Sequence, residues 1–91
     1  MSWRVEFETR ARREYLDLPG DVQERLADAI DDLAKDPRPP GCKRLKGQDG
    51  YRIRKGDYRI LYTVNDARRV VQVYRIGNRR DVYRGDRKSV V

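Results

Sequence analysis

The sequence predicts an α+β domain with the order β-α-α-β-β-β. Its sheet is expected to be mainly antiparallel and four-stranded, with a helix hairpin on one face and a short C-terminal helical turn. Three observations lead there. "SWRVEFE" alternates apolar Trp3, Val5 and Phe7 with charged residues, the period of a half-buried strand. Residues 10 to 35 carry apolar side chains at helical spacing, broken once at "LPGD". From residue 43 onward, β-branched and tyrosine residues alternate with arginine around tight-turn dipeptides. With 91 residues in all, the chain makes one domain, 1–91, with a single modest core.

After the opening strand, Thr9 is placed to cap a helix over residues 10 to 18, whose Ala11, Tyr15 and Leu18 share one face. Pro19 suits the first turn of a second helix, where its missing N–H costs nothing. In residues 20 to 35, Val22, Leu26, Ile30 and Leu33 form a stripe, and "KDPRPPG" ends it with three prolines and a glycine. Three strands follow, at 51 to 55, 58 to 65 and 69 to 76. Gly56-Asp57 and Asn65-Asp66 join them as antiparallel neighbours. The helical turn is expected around residues 79 to 84.

Charge is unevenly divided. The net charge is +7, yet residues 1–42 hold 7 Lys/Arg against 10 Asp/Glu, whereas residues 43–91 hold 15 against 5. The cationic surface therefore belongs to the second half, and it points to a polyanion as partner. The sequence contains no histidine and one cysteine, Cys42. This excludes an internal disulfide, disfavours a Cys–His nucleophile or a zinc site, and removes the usual proton carrier near neutral pH. No metal or other cofactor is expected. No apolar run reaches the length of a membrane span, and the N-terminus lacks the apolar stretch of a secretion signal, so a cytoplasmic protein is expected.

Alternation separates core from candidate site in the hairpin "YRIRKGDYRILY". Tyr51, Ile53, Tyr58, Ile60 and Tyr62 face the helices; Arg52, Arg54 and Arg59 share the other, open face. Arginines on a sheet surface often serve only solvation and edge protection. Several like charges on one face repel, however, and that cost makes most sense where an anion binds. The third strand has Val71 and Val73 on one side and Val70, Tyr74 and Ile76 on the other, as a central strand would. It delivers the chain to Arg79, Arg80 and Tyr83.

"LKG", "YRIRKGDYRILY" and "GNRRDVY", in this order, resemble the RelE toxins of the RelE/ParE toxin–antitoxin superfamily. The resemblance spans nearly the whole chain and implies a type II toxin that enters the ribosomal A site and cleaves messenger RNA. Family members direct the ribose 2′-OH at the adjacent phosphate without a metal. Tyr83 matches the family's catalytic tyrosine, and Arg59 and Arg79 its two arginines. Arg52 and Arg54 stand where well-studied members have lysines. Arginine holds its proton at physiological pH, so it is a good phosphate clamp and a poor proton donor. Lys43, Arg44, Lys46, Lys55 and Arg80 are the expected further RNA-binding cations. The resemblance also implies a RelB-like antitoxin, with ribosome and mRNA as other partners and operator DNA bound only through the antitoxin complex. Two alternatives stay open: a ParE-like inhibitor of DNA gyrase, and a basic RNA-binding module without catalysis.

Overall fold

A computed structural model describes residues 3–47 and 50–78. The elements run β1 (Arg4–Phe7), α1 (Thr9–Leu16), α2 (Gly20–Lys35), β2 (Lys43–Arg44), β3 (Tyr51–Lys55), β4 (Tyr58–Asn65) and β5 (Val70–Asn78). The class and element order match the expectation, but the sheet has five strands, ordered β1-β5-β4-β3-β2. The extra strand is the two-residue β2, too short to show a periodicity. β1 is parallel to β5, and the other pairs are antiparallel. The helical turn expected at 79–84 lies outside the described residues.

Thr9 does not cap α1; Glu8 occupies that position and makes no side-chain cap bond. The backbone explains this. Glu8 N–H still donates to Val73 O at 2.9 Å, so strand pairing holds the chain extended one residue longer. α1 is then fastened to α2 through side chains. The Tyr15 hydroxyl donates to Gln23 O at 2.9 Å, and the Gln23 amide donates back to Leu16 O at 3.1 Å and Leu18 O at 3.0 Å.

The stripe on α2 sinks into one sheet face. Ala11, Leu26, Ala29 and Leu33 meet Ile53, Ile60, Tyr62, Val71, Val73 and Ile76, with Trp3, Phe7, Tyr15, Tyr51 and Tyr58 packed around them. Tyr51 stacks on Tyr62 at 5.8 Å between centroids.

One expectation about the third strand fails. Val71, Val73 and Ile76 share the core, whereas simple alternation puts Ile76 on the opposite face with Tyr74. The register supplies the reason: Leu61 faces Arg75 while Tyr62 faces Val73, so Tyr74 is an extra residue, a β-bulge. The bulge shifts the phase of β5 by one. Beyond it, Ile76 turns inward and Arg75 and Gly77 turn to the face away from the helices.

Tyr62 carries the polar connection of the core. It is fully buried, and its hydroxyl donates to Pro37 O at 2.7 Å, tying β4 to the turn after α2. Burial raises the Tyr62 pKa well above the usual tyrosine value, with the Cys42 thiol adding to the shift. Tyr62→Phe leaves Pro37 O without its donor and should cost about 1–3 kcal/mol, read as a lower urea midpoint at unchanged slope. The advantage of wild type over this variant should be complete below the unfolded tyrosine pKa of about 10 and shrink as pH rises through the higher folded value.

Candidate nucleic-acid interface

The β3–β4 hairpin turns at Gly56, whose φ of +61° is the left-handed conformation that glycine adopts without strain. That tight turn sets Arg54 directly opposite Arg59, and Arg52 opposite Leu61. The next pairings extend each row. Lys43 faces Arg52, Arg75 faces Leu61, and Gly77 faces Arg59. The face away from the helices thus carries Lys43, Arg52 and Arg75 around Leu61, with Arg54 and Arg59 one row further. Directly opposed arginines raise the energy of a sheet unless an anion or a carboxylate lies between them.

Arg52, Arg54 and Arg59 therefore share one face, as expected. The face is not open throughout. Lys43 and Arg54 are exposed and Arg52 is half-buried, but Arg59 is only 7% exposed and Leu61 is fully buried. Arg59 sits on β4 between Arg54 and Gly77. Of the other expected RNA-binding residues, Arg44, Lys46 and Lys55 are exposed. Arg44 and Lys55 pair with Tyr51 and Tyr58, so they alternate away from the row of Arg52 and Arg54. Arg79, Arg80 and Tyr83 lie outside the described residues.

Sequence reasoning missed Arg75 and Glu14. Arg75 is 5% exposed, and its Nε donates to Glu14 Oε2 at 3.2 Å. Glu14 Oε1 accepts the Ile76 backbone N–H at 2.9 Å. α1 thus replaces β1 as the partner of β5 after the bulge, where β1 has ended at Phe7. Arg10 stands 3.8 Å from the same carboxylate, one helical turn earlier. The bulge hid this site, because an unbroken alternation directs Arg75 to the core side. The available signal was a charged residue on the wrong phase of an otherwise apolar strand.

At the other end of the same face lies a pocket of about 580 Å³. Thr63, Gln72 and Glu6 form one register row across its floor, and Asn65, Arg44 and Arg68 stand among its walls. Its rim is braced by Arg38, which chelates Asp66 at 2.9 and 3.2 Å and donates to the Tyr51 hydroxyl at 3.1 Å. Hydrogen bonding to Arg38 holds the Asp66 carboxyl below its ordinary pKa; the same bonds, Asp66 first and then Tyr51, make Arg38 hold its proton more tightly. Among the described residues, no three His, Cys, Asp or Glu side chains gather as metal ligands, and no helix is long and apolar enough to cross a membrane.

A small α+β sheet with a helix pair on one side and an arginine-lined face on the other defines a class, and comparison with known proteins gives the class its name. Residues 5–83 match the family described as ParE toxin of type II toxin-antitoxin system, parDE. Toxin RelG of Mycobacterium tuberculosis is 33% identical over 92% of this chain and 99% of its own length. The mRNA interferase toxin RelE of Escherichia coli is 32% identical over 87% of this chain and 85% of its own. Among solved structures, the intact E. coli RelBE toxin-antitoxin complex contains a chain with TM-score 0.75 and 32% identity, covering 84% of this chain and 95% of that one. The M. tuberculosis RelBE2 toxin-antitoxin complex gives TM-score 0.77 at 28% identity, covering 87% and 100%. The chain belongs to the RelE family of the RelE/ParE toxin–antitoxin superfamily.

The junction of α1 with β5 is open to direct test. Glu14→Ala removes the acceptor of the Ile76 N–H and should destabilise the fold by about 1–3 kcal/mol. Glu14→Gln keeps an acceptor oxygen and should lose less, the order being read from urea midpoints.

Proposed function

We propose that the protein is an mRNA-cleaving toxin that stops translation, acting on messages in the ribosomal A site and restrained by a RelB-like antitoxin. The observation that carries this reading is the placement of Arg54 opposite Arg59, with Arg52 on the same face. Two guanidinium groups so placed are suited to hold the non-bridging oxygens of one phosphodiester by paired hydrogen bonds. The names of the E. coli relative, an mRNA interferase, and of the RelBE complexes support it.

In the proposed reaction the ribose 2′-oxygen attacks the neighbouring phosphorus as its proton passes to the Tyr83 phenolate. The bond to the 5′-oxygen of the next nucleotide breaks, leaving a 2′,3′-cyclic phosphate and, once protonated, a free 5′-OH. Cations beside a tyrosine favour its phenolate form, which the proposed role of Tyr83 requires because an ordinary tyrosine pKa near 10 is too high for a base. Arg59, Arg54 and Arg79 stabilise the charge that builds on the phosphorane. Arg52 holds the adjoining backbone with Lys43, while Arg44, Lys46, Lys55 and Arg80 add longer-range attraction. Arginines at 52 and 54 bind phosphate well and donate protons poorly, so protonation of the leaving oxygen falls to solvent or a ribosomal group. The chemistry uses side chains alone, without metal or cofactor, in the cytoplasm where messages are translated. The antitoxin covers the cationic face, and operator DNA is reached only through that complex.

The match to the ParE description favours one competing reading, inhibition of DNA gyrase without RNA cleavage. Inducing wild type, Arg59→Ala and Tyr83→Phe in cells and mapping message 5′ ends separates the two. Cuts within translated codons should appear with wild type and fall by roughly 10²–10³-fold in either variant, the scale of losing one transition-state contact. Growth arrest with intact messages and altered DNA supercoiling would contradict the proposal in favour of gyrase.

A further inference from the structure

The pocket over Thr63, Gln72 and Glu6 has no role in the chemistry just described. We propose that it is a base-recognition subsite for single-stranded RNA, taking one nucleobase that carries an amino group in preference to uracil. The inference rests on the RNA-cleaving reading for the place of the scissile phosphate, while the pocket itself is formed by the sheet with Arg38, Gly50, Asp66 and Arg68 from the loops.

Its lining has the chemistry of base recognition. A hydroxyl at Thr63, amides at Gln72 and Asn65 and a carboxylate at Glu6 can pair with the edge of an unstacked base, the usual mode of sequence-specific RNA reading. Glu6 Oε2 stands 3.4 Å from Arg4 Nη1, which leaves Glu6 Oε1 to accept from a base edge, while Arg44 and Arg68 on the walls suit the phosphates that flank the base. A carboxylate accepts from an exocyclic amino group, which cytosine, adenine and guanine have and uracil lacks. With a volume of about 580 Å³, the pocket has room for a base and its sugar. Arg38 chelates Asp66 on the rim, which neutralises that second carboxylate and fixes the wall before any ligand arrives.

The route to the pocket is cationic. Arg54 and Lys43 are exposed and Arg52 is half-exposed on one face, and Arg44, exposed on the edge strand β2, stands at the pocket wall. Thr63 lies four residues from Arg59 on β4, roughly 13 Å at the rise of an extended strand. A phosphate at Arg54 and Arg59 thus places a base from the same short strand of RNA within reach of Gln72 and Glu6.

The test is binding of a panel of short single-stranded RNAs, each differing at one position, to the full-length wild type, Gln72→Val and Glu6→Gln, followed by fluorescence anisotropy. Glu6 is exposed and Gln72 half-buried, and a thermal melt confirms that each variant folds. Wild type should prefer an amino-bearing base over uracil by about tenfold at one position, the scale of one good base contact. Gln72→Val should flatten that preference, and Glu6→Gln, whose amide can donate to a carbonyl, should shift it toward uracil. An identical base profile in all three proteins overturns the inference, as does a wild type that discriminates nowhere. If the variants lose antitoxin binding and keep the RNA profile, the pocket is a protein contact and the inference fails. A preference lost in the variants of a protein that never cuts RNA supports the subsite and removes the nuclease. Cleavage whose base preference survives in both variants does the reverse.

Discussion

The single extra residue at Tyr74 organises this molecule. Without it, one strand cannot place Val71 and Val73 in the core at one end and Ile76 in the same core at the other. With it, β5 changes phase between the two, and Arg75 moves to the face of Arg52, Arg54 and Arg59. β1 ends opposite Val73, and beyond it the Glu14 carboxylate from α1 takes over at the Ile76 N–H. The core packing of β5 and the composition of the cationic face thus follow from one irregularity.

The consequences run against stability as much as toward function. Only 37% of the chain is hydrophobic, so the core is thin. Arg54 stands opposite Arg59 in the register, and like charges so placed cost stability unless an anion or a carboxylate lies beside them. Sites are where such costs persist, because the strain is relieved when the ligand arrives. In the proposed reaction a phosphate meets the two guanidinium groups, and in the proposed resting complex the antitoxin covers them.

Much of this was legible in the sequence for identifiable reasons. α2 and the β3–β4 hairpin show clean periods of 3.6 and 2, with Gly56 between the strands, and the structure keeps their limits. The placement of Arg52, Arg54 and Arg59 on one face follows from that period alone. Three features did not follow. β2 is two residues long and has no period to read. The bulge at Tyr74 breaks an alternation that gives no local warning, so Arg75 went unassigned. The burial of Arg59 depends on what packs around it in three dimensions, which no local pattern reports.

The central claim is that arginines brought to one face by the β3–β4–β5 register act together on an RNA backbone. Its most direct measurement is the salt dependence of binding to a short single-stranded RNA. The logarithm of affinity should fall linearly with the logarithm of salt, and the slope should lessen by roughly 0.7 for each of Arg52 and Arg54 replaced by alanine. A slope unchanged by both replacements would contradict the account, because it would mean that the RNA is held somewhere else.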